Sequence, residues 1–224
     1  MFKSIFIDAD DTIFDFGAAQ KNAFYKTFDK LKYPINEEIY LSYNDINIYY
    51  WKKFERGEIE KNKLITERFV TLFEKMNISG DENAVEKWYR IFLGEEAIWW
   101  EGAERGVKEL SKKYDLFVTT NGCADTQINR IKKSGLGKYI KDTFISESIG
   151  FCKPQKEYYD YCFNNSSAKR ETTLVMGDSL TSDIKGGINA GLKTMWCNFM
   201  NNPIPKMEID YIVNSWDDIL KVLL

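Results

Sequence analysis

A pair of aspartates, Asp8 and Asp10, follows a short apolar run near the amino terminus. The run, from Ile5 to Ile7, is typical of a strand buried in a parallel sheet. Residues two apart in an extended chain lie on the same side, so both carboxylates can face one cleft. Carboxylates this close repel each other unless a cation lies between them or one takes a proton. The spacing therefore favours a hard metal such as Mg²⁺ and chemistry with one nucleophilic and one acidic carboxyl group.

Polar side chains also occur at or after the ends of three later apolar runs. Thr120 and Asn121 end one run, Asp178 follows another, and Lys153 lies in the loop after a third. The carboxyl ends of parallel strands share one edge of a sheet, where open α/β sheets place their sites. Together with the first two aspartates, these residues supply carboxylates for a metal, a hydroxyl and an amide for phosphate oxygens, and a positive charge. The set, in this order, predicts one active site.

The elements that must position these residues alternate between strand and helix after about residue 101. Five strands are predicted there, at 115–119, 143–146, 173–176, 194–196 and 211–213. Such alternation indicates a parallel, Rossmann-like α/β sheet with right-handed crossover connections, which the first strand completes.

Between residues 15 and 100 the hydrophobic period is helical. Four amphipathic stripes with short connections predict a small helical bundle, and Ser79 with Glu82 predicts a capping box before its fourth helix. The bundle interrupts the α/β domain just after its first strand. We therefore predict a catalytic core made of 1–14 and 101–224, and a helical cap domain at 15–100.

Composition excludes several classes of site. The 224 residues include no histidine, which excludes Ser-His-Asp and Cys-His catalysis and every zinc site that needs histidine. The net charge of −3 gives no sign of binding to a nucleic acid polymer. The four cysteines form no CxxC pair, so neither a zinc knuckle nor a thioredoxin-like motif is present.

With no apolar stretch of membrane-spanning length and no signal peptide, we expect a cytoplasmic protein with no membrane partner.

The motifs resemble those of the haloacid dehalogenase superfamily, specifically its phosphatases with a helical cap inserted after the first strand. The resemblance covers essentially the whole chain and rests on Asp8-Ala9-Asp10-Asp11-Thr12, Thr120-Asn121-Gly122, Lys153-Pro154 and the stretch from Gly177 to Asp183. The segments FIDADDTIFDF, ITERF and NGCADTQ are most similar to the bacterial pyrimidine 5′-nucleotidase branch. Asp11 departs from the pattern, because many relatives carry glycine there.

The resemblance implies a role for each matching residue. Asp8 is expected to be the nucleophile that forms an aspartyl-phosphate, and Asp10 is expected to be the general acid and base. Mg²⁺ is expected to bind the carboxylates of Asp8 and Asp178 and the backbone carbonyl of Asp10.

The resemblance also implies how phosphate would be held. Thr120 and the backbone of Asn121 are expected to bind phosphate oxygens, while Lys153 neutralises charge on the transferring group and on Asp8. Asp183 is expected to support the metal site through water or by orienting Lys153. The alternative for Asp183 is a carboxylate favoured only by the positive end of a helix.

A Mg²⁺-dependent phosphomonoester hydrolase acting on a small phosphorylated metabolite is the function that the resemblance implies. We expect a nucleoside 5′-monophosphate, with a pyrimidine preferred, and a monomer or homodimer. Five aromatic side chains could stack on a base, or could instead form cap core or hinge packing: Phe14, Phe16, Trp51, Trp99 and Trp100.

Other functions stay open at this point. A general sugar or metabolite phosphatase, or a phosphosugar mutase, would use the same motifs. A catalytically idle binding protein would keep the fold, but the intact set of Asp8, Asp10, Lys153 and Asp178 argues against it. A dehalogenase is disfavoured, because that branch lacks the second aspartate and the metal.

Overall fold

A computed structural model describes residues 1 to 224, and the chain folds into two compact units. The first, which we call the core unit, contains Met1–Phe16 and Ala97–Leu224. The second, the helical unit, contains Gly17–Glu96. The sequence predicts boundaries at 14/15 and 100/101, and the observed divisions fall at 16/17 and 96/97.

Four helices form the helical stretch of the chain, as the hydrophobic periodicity predicts. They are α1 (Phe16–Leu31), α2 (Glu37–Glu55), α3 (Lys61–Met76) and α4 (Glu82–Glu95). Their buried aromatic rings pack together, for example Tyr43 on Phe69 with ring centroids 5.2 Å apart. Asp81 caps α4, and its carboxylate accepts bonds from the amides two and three residues later. The capping box predicted for Ser79 and Glu82 is therefore wrong, because α4 begins at Glu82 and the residue directly before it, Asp81, is the N-cap.

One six-stranded sheet forms the centre of the core unit, and all neighbouring strands in it are parallel. The strands are β1 (Ser4–Ile7), β2 (Asp115–Thr120), β3 (Asp142–Ile145), β4 (Thr173–Gly177), β5 (Lys193–Cys197) and β6 (Tyr211–Val213). Their order is β3-β2-β1-β4-β5-β6, so β1 lies between β2 and β4. The predicted α/β class with a parallel, Rossmann-like sheet is confirmed.

The register of the three central strands brings their carboxyl ends together. Ile7, the last residue of β1, pairs with Val118 of β2 and with Met176 of β4. Neighbouring strands lie about 4.8 Å apart, so the residues that follow these strands meet at one edge of the sheet. The topology thus places the motif after β1 between the motifs after β2 and β4.

Helices cover the sheet, and side chains of β1 alternate between two apolar clusters. The helices of the core unit are α5 (Ala103–Leu110), α6 (Ala124–Ser134), α7 (Ser146–Ile149), α8 (Lys156–Asn164), α9 (Lys185–Asn189) and α10 (Trp216–Leu223). Ile5 and Ile7 belong to the cluster that includes α5 and α10, whereas Phe6 belongs to the cluster that includes α8. This alternation explains why β1 is apolar at three consecutive positions, Ile5 to Ile7. No helix of the chain is both long enough and apolar enough to cross a lipid bilayer.

Trp216, the first residue of α10, connects three parts of the core unit. Its indole Nε1 donates a hydrogen bond to the carbonyl of Thr12 at 2.9 Å, which fixes the loop after β1. Its ring packs so closely on α5 that a Cβ added at Gly106 would lie 2.1 Å from the ring atom Cε3. Gly106 is therefore needed for the close approach of the two helices.

Replacing Gly106 with alanine should destabilise the core unit. The added methyl group would overlap the Trp216 ring, and overpacking of this kind costs about 1–3 kcal/mol. Gly137→Ala is a suitable control, because the added Cβ would lie 3.9 Å from Ile131, an ordinary contact. Urea unfolding should show a lower midpoint for Gly106→Ala than for the control. Equal midpoints would show that the ring moves aside without cost.

Candidate active site

The side chain of Lys153 lies at the centre of the candidate site and is only 1% exposed. Its Nζ donates to Asp8 Oδ1 at 2.5 Å, to Asp183 Oδ1 at 2.6 Å and to the carbonyl of Thr119 at 2.8 Å. These three bonds use all three donors of the ammonium group. Lys153 therefore binds together the segments that contain or follow the ends of β1, β2 and β4.

Three carboxylates converge beside this ammonium group. Oxygen atoms of Asp8, Asp178 and Asp183 all lie within 4.8 Å of one another. Asp183 belongs to the helical turn after β4, where its Oδ2 also accepts a bond from the amide of Ser179 at 3.1 Å. One ammonium group does not balance three carboxylates, and a set of hard oxygen ligands with excess negative charge fits a cation such as Mg²⁺.

The pKa values in this cluster reflect burial and repulsion. Burial raises the pKa of Asp8 well above its usual value; attraction by Lys153 opposes this shift, and the charges of Asp183 and Asp10 add to it. Burial likewise raises the pKa of Asp178, with neighbouring carboxylates contributing. Burial alone would lower the pKa of Lys153, but Asp183 and Asp8 outweigh burial, so this pKa is raised well above its usual value. A bound cation would relieve the repulsion among the carboxylates.

The loop after β1 turns sharply at Asp11. Asp11 has a positive φ of 53°, a region that glycine enters freely and aspartate enters more readily than most residues. Its amide donates to the carbonyl of Phe14 at 2.8 Å, and its Oδ1 accepts a bond from the amide of Phe16 at 3.0 Å. The backbone conformation therefore favours glycine or aspartate at this position, and the side-chain bond accounts for the aspartate found here.

Thr120 and Asn121 lie at the end of β2. Thr120 Oγ1 accepts bonds from the amide of Gly122 at 3.0 Å and from Gln127 Nε2 at 3.1 Å, which leaves its own proton to donate. The side chain of Asn121 pairs with the backbone of Lys153, with Nδ2 bound to the carbonyl at 2.9 Å and Oδ1 bound to the amide at 3.0 Å. Asn121 thus connects two loops, and the Thr120 hydroxyl is a donor suited to an anion.

Asp10 is bound by two side chains of α6 that the sequence analysis missed. Arg130 Nη1 donates to Asp10 Oδ1, and Gln127 Nε2 donates to Asp10 Oδ2 at 2.6 Å. Gln127 and Arg130 are three residues apart, which places them on one face of α6. In the sequence, this pair could have been found from its three-residue spacing directly after the Thr120 loop. That spacing does not show which residue the face of α6 contacts.

Three of the five aromatic residues considered for base stacking pack within the core unit. Phe14 is fully buried; its ring centroid lies 5.4 Å from that of Trp99 and 4.8 Å from the guanidinium carbon of Arg130. Trp100 packs against Phe199 with ring centroids 5.4 Å apart. The Phe14 ring therefore has no exposed face for a base.

The remaining two aromatic residues lie near and within the helical unit. Phe16 is the first residue of α1 and is partly exposed. Trp51 lies on α2, partly exposed, in edge contact with Phe54 at a centroid distance of 5.8 Å. Stacking on a base requires an exposed ring face, so burial closes this role to Phe14, whereas the other four aromatic residues are each partly exposed.

Comparison with known proteins gives similarity over the full length of the chain. The family model described as haloacid dehalogenase-like hydrolase matches residues 5–197, which contain all four motifs. The HAD-hydrolase YfnB of Bacillus subtilis is 36% identical over 99% of this chain and 95% of its own. The pyrimidine 5′-nucleotidase PynA of Streptococcus pneumoniae is 31% identical over 99% of this chain and 95% of its own. The pyrimidine 5′-nucleotidase YjjG of Escherichia coli is 29% identical over 90% and 88%, respectively.

A solved structure gives the same relationship in three dimensions. The crystal structure of YfnB bound to magnesium matches this chain with a TM-score of 0.94 and covers 99% of this chain and 98% of its own. That crystal form reveals interdomain movement in YfnB. At 36% sequence identity, the similarity includes both the sheet and the helical stretch.

Lys153→Met should strongly destabilise the core unit when no divalent cation is present. Without the ammonium group, Asp8 and Asp183 stay buried with no counter-charge, and breaking a buried ion pair in this way costs about 3–5 kcal/mol. Lys156→Met is the control, because the ion pair of Lys156 with Asp160 is largely exposed and should contribute much less. Urea unfolding in a chelating buffer measures both variants. A loss no larger than that of the control would contradict the role given to Lys153.

Proposed function

This chain belongs to the haloacid dehalogenase-like hydrolase family, as its motifs predict, and on that premise we propose that it is a Mg²⁺-dependent phosphomonoester hydrolase. The observation that carries the proposal is the buried pairing of Lys153 with Asp8 and Asp183 at the edge of the sheet, with the partly exposed Asp178 beside these two carboxylates. A carboxylate held by a buried ammonium group, beside further carboxylates, suits a nucleophile that attacks an anionic substrate.

Asp8 is the nucleophile in this proposal. Lys153 occupies its Oδ1, which leaves Oδ2 to attack phosphorus. As the bond from Oδ2 to phosphorus forms, the bond from phosphorus to the leaving oxygen breaks, and Asp10 supplies the proton that this oxygen takes. Water then attacks the aspartyl-phosphate at phosphorus and gives a proton to Asp10, so that inorganic phosphate leaves and Asp8 is regenerated.

Charge compensation comes from the same cluster. Lys153 stabilises the charge that spreads over the transferring group, and its buried position strengthens this effect. Mg²⁺, bound by the carboxylates of Asp8 and Asp178 and the carbonyl of Asp10, would offset the repulsion between Asp8 and the incoming phosphate. Asp183 keeps Lys153 in place through the bond of 2.6 Å.

Phosphate oxygens are bound at the end of β2. Both acceptor positions of Thr120 Oγ1 are used by protein donors, so in this proposal its proton is donated to a phosphate oxygen. The backbone of Asn121 is the second phosphate-binding group in the proposal, while the side chain of Asn121 holds the Lys153 loop in place.

A nucleoside 5′-monophosphate is the proposed substrate, with a pyrimidine base preferred. Two relatives that match most of this chain are pyrimidine 5′-nucleotidases, at 31% and 29% identity. The fold alone does not select a base, because the same family site can serve many phosphorylated compounds. The sequence similarity to these two enzymes is what supports a nucleotide as the substrate.

Mg²⁺ should stabilise the wild-type protein but not Asp178→Asn. A ligand that binds only the folded state stabilises it by about 2.7 kcal/mol at a concentration of 100 Kd, so the Tm should rise with added Mg²⁺. Asp217→Asn is the matched control, because the Asp217 side chain is 63% exposed and lies outside the cluster. Calorimetry over a series of MgCl₂ concentrations checks the prediction. A wild-type Tm that never responds to Mg²⁺ would contradict the metal site.

Phosphate release with Mg²⁺ should be fastest with pyrimidine nucleoside 5′-monophosphates in a panel that also contains purine nucleotides and sugar phosphates. Asp8→Asn should abolish release, and Asp10→Asn should lower kcat by ~10²–10⁴, the usual contribution of acid–base catalysis. A preference for a sugar phosphate would indicate a general metabolite phosphatase, and a bisphosphate product would indicate a mutase. Release that survives Asp8→Asn would overturn the mechanism.

A further inference from the structure

The carboxylate of Asp10 is held by Gln127 and Arg130, which we call the Asp10 clamp. We propose that these two residues are positioning residues for the acid–base step, and the inference rests on the role proposed above for Asp10. Each clamp residue binds a different carboxylate oxygen, so together they fix the orientation of the plane of the carboxyl group. Neither residue belongs to the four motifs; Gln127 is the last residue of the segment NGCADTQ, and Arg130 lies outside every quoted segment.

Arg130 is the unusual member of the clamp, because it is a fully buried cation. Its Nη1 binds Asp10 Oδ1 and approaches Gln127 Oε1 at 3.3 Å, and its guanidinium carbon lies 4.8 Å from the centroid of the Phe14 ring. Removing a guanidinium group from water is costly unless a carboxylate compensates for it. The pairing with Asp10 supplies this compensation, so the two charged groups are held in one arrangement.

Gln127 connects Asp10 to the phosphate-binding group. Its Nε2 donates both to Asp10 Oδ2 at 2.6 Å and to Thr120 Oγ1 at 3.1 Å. A Cβ added at Gly122 would lie 2.3 Å from this nitrogen, so the glycine of the loop makes room for the Gln127 amide. One amide group thus sets the distance between the carboxylate that transfers the proton and the hydroxyl that binds phosphate.

The clamp leaves Asp10 able to react. The Asp10 side chain is 26% exposed, although Arg130 beside it is fully buried. Each carboxylate oxygen has two acceptor positions, so one remains on each oxygen after the clamp has bound. A carboxyl group that is oriented but not enclosed suits both proton transfers, since transfer depends strongly on geometry: when protonated it gives its proton to the leaving oxygen, and as a carboxylate it takes a proton from the attacking water.

A series of aryl phosphates tests the clamp, because the need for a proton depends on the leaving group. p-Nitrophenolate leaves without help, whereas a more basic phenolate needs the proton from Asp10. Arg130→Met should lower kcat ~10–100-fold for the most basic leaving group, part of the ~10²–10⁴ that acid–base catalysis contributes, and much less for p-nitrophenyl phosphate. Arg105→Met is the matched control, since Arg105 is exposed and paired with Asp217 on the surface.

Two further variants separate positioning from general damage to the fold. Gln127→Met should show the same dependence on the leaving group, and Arg130→Lys, which keeps the charge, should recover part of the loss. In an Asp10→Asn background, Arg130→Met should have little additional effect on kcat, because both substitutions impair the same acid–base step. The stabilisation by Mg²⁺ should be unchanged in all of these variants.

The outcomes distinguish this inference from the proposed function. Equal losses for every leaving group, no loss at all, or a full additional loss in the Asp10→Asn background would overturn the positioning role while leaving the hydrolase intact. If Arg130→Met does not fold, Gln127→Met gives the same readout. A wild-type protein that hydrolyses none of the aryl phosphates would instead overturn the proposed function. The positioning role of the Asp10 clamp would then be overturned as well.

Discussion

The buried ammonium group of Lys153 is the interaction on which the site depends. Its three donors hold Asp8, Asp183 and the carbonyl of Thr119, so one side chain fixes the ends of three strands relative to each other. An ammonium group this deep is stable only because carboxylates surround it, and the carboxylates are tolerated only because the ammonium is there. The same contact orients one carboxylate oxygen of Asp8, so the pairing that stabilises the site also positions the residue that we propose as the nucleophile.

The sequence predicts that the polar residues of the site lie together, because parallel sheets bring strand ends to one edge. Asp8, Thr120 and Asp178 each follow or end a central strand, and β1 lies between β2 and β4. Lys153 could be added because the loop after β3 returns to that edge and because the family motif contains it. The helical stretch was also predictable, since its apolar residues repeat with a helical period and its breaks are short.

Contacts made by helix side chains could not be predicted in the same way. Gln127 and Arg130 lie on one face of α6, but only the folded chain shows that this face meets Asp10. Phe14 was considered for base stacking from its residue type alone, and its position under Arg130 depends on the same contact. The local pattern of Ser79 and Glu82 predicts a cap at Ser79, but the helix begins two residues later, where Asp81 is the N-cap.

The most direct test of Asp8 as the nucleophile is to trap its phosphorylated form. Enzyme turning over p-nitrophenyl phosphate with Mg²⁺ would be quenched in acid and treated with borohydride, which reduces an aspartyl-phosphate to homoserine. Peptide mass spectrometry then locates the modified residue. The mechanism predicts homoserine at position 8 during turnover and none without substrate. Homoserine at another aspartate, or unmodified Asp8 throughout in an enzyme that is turning over, would contradict it.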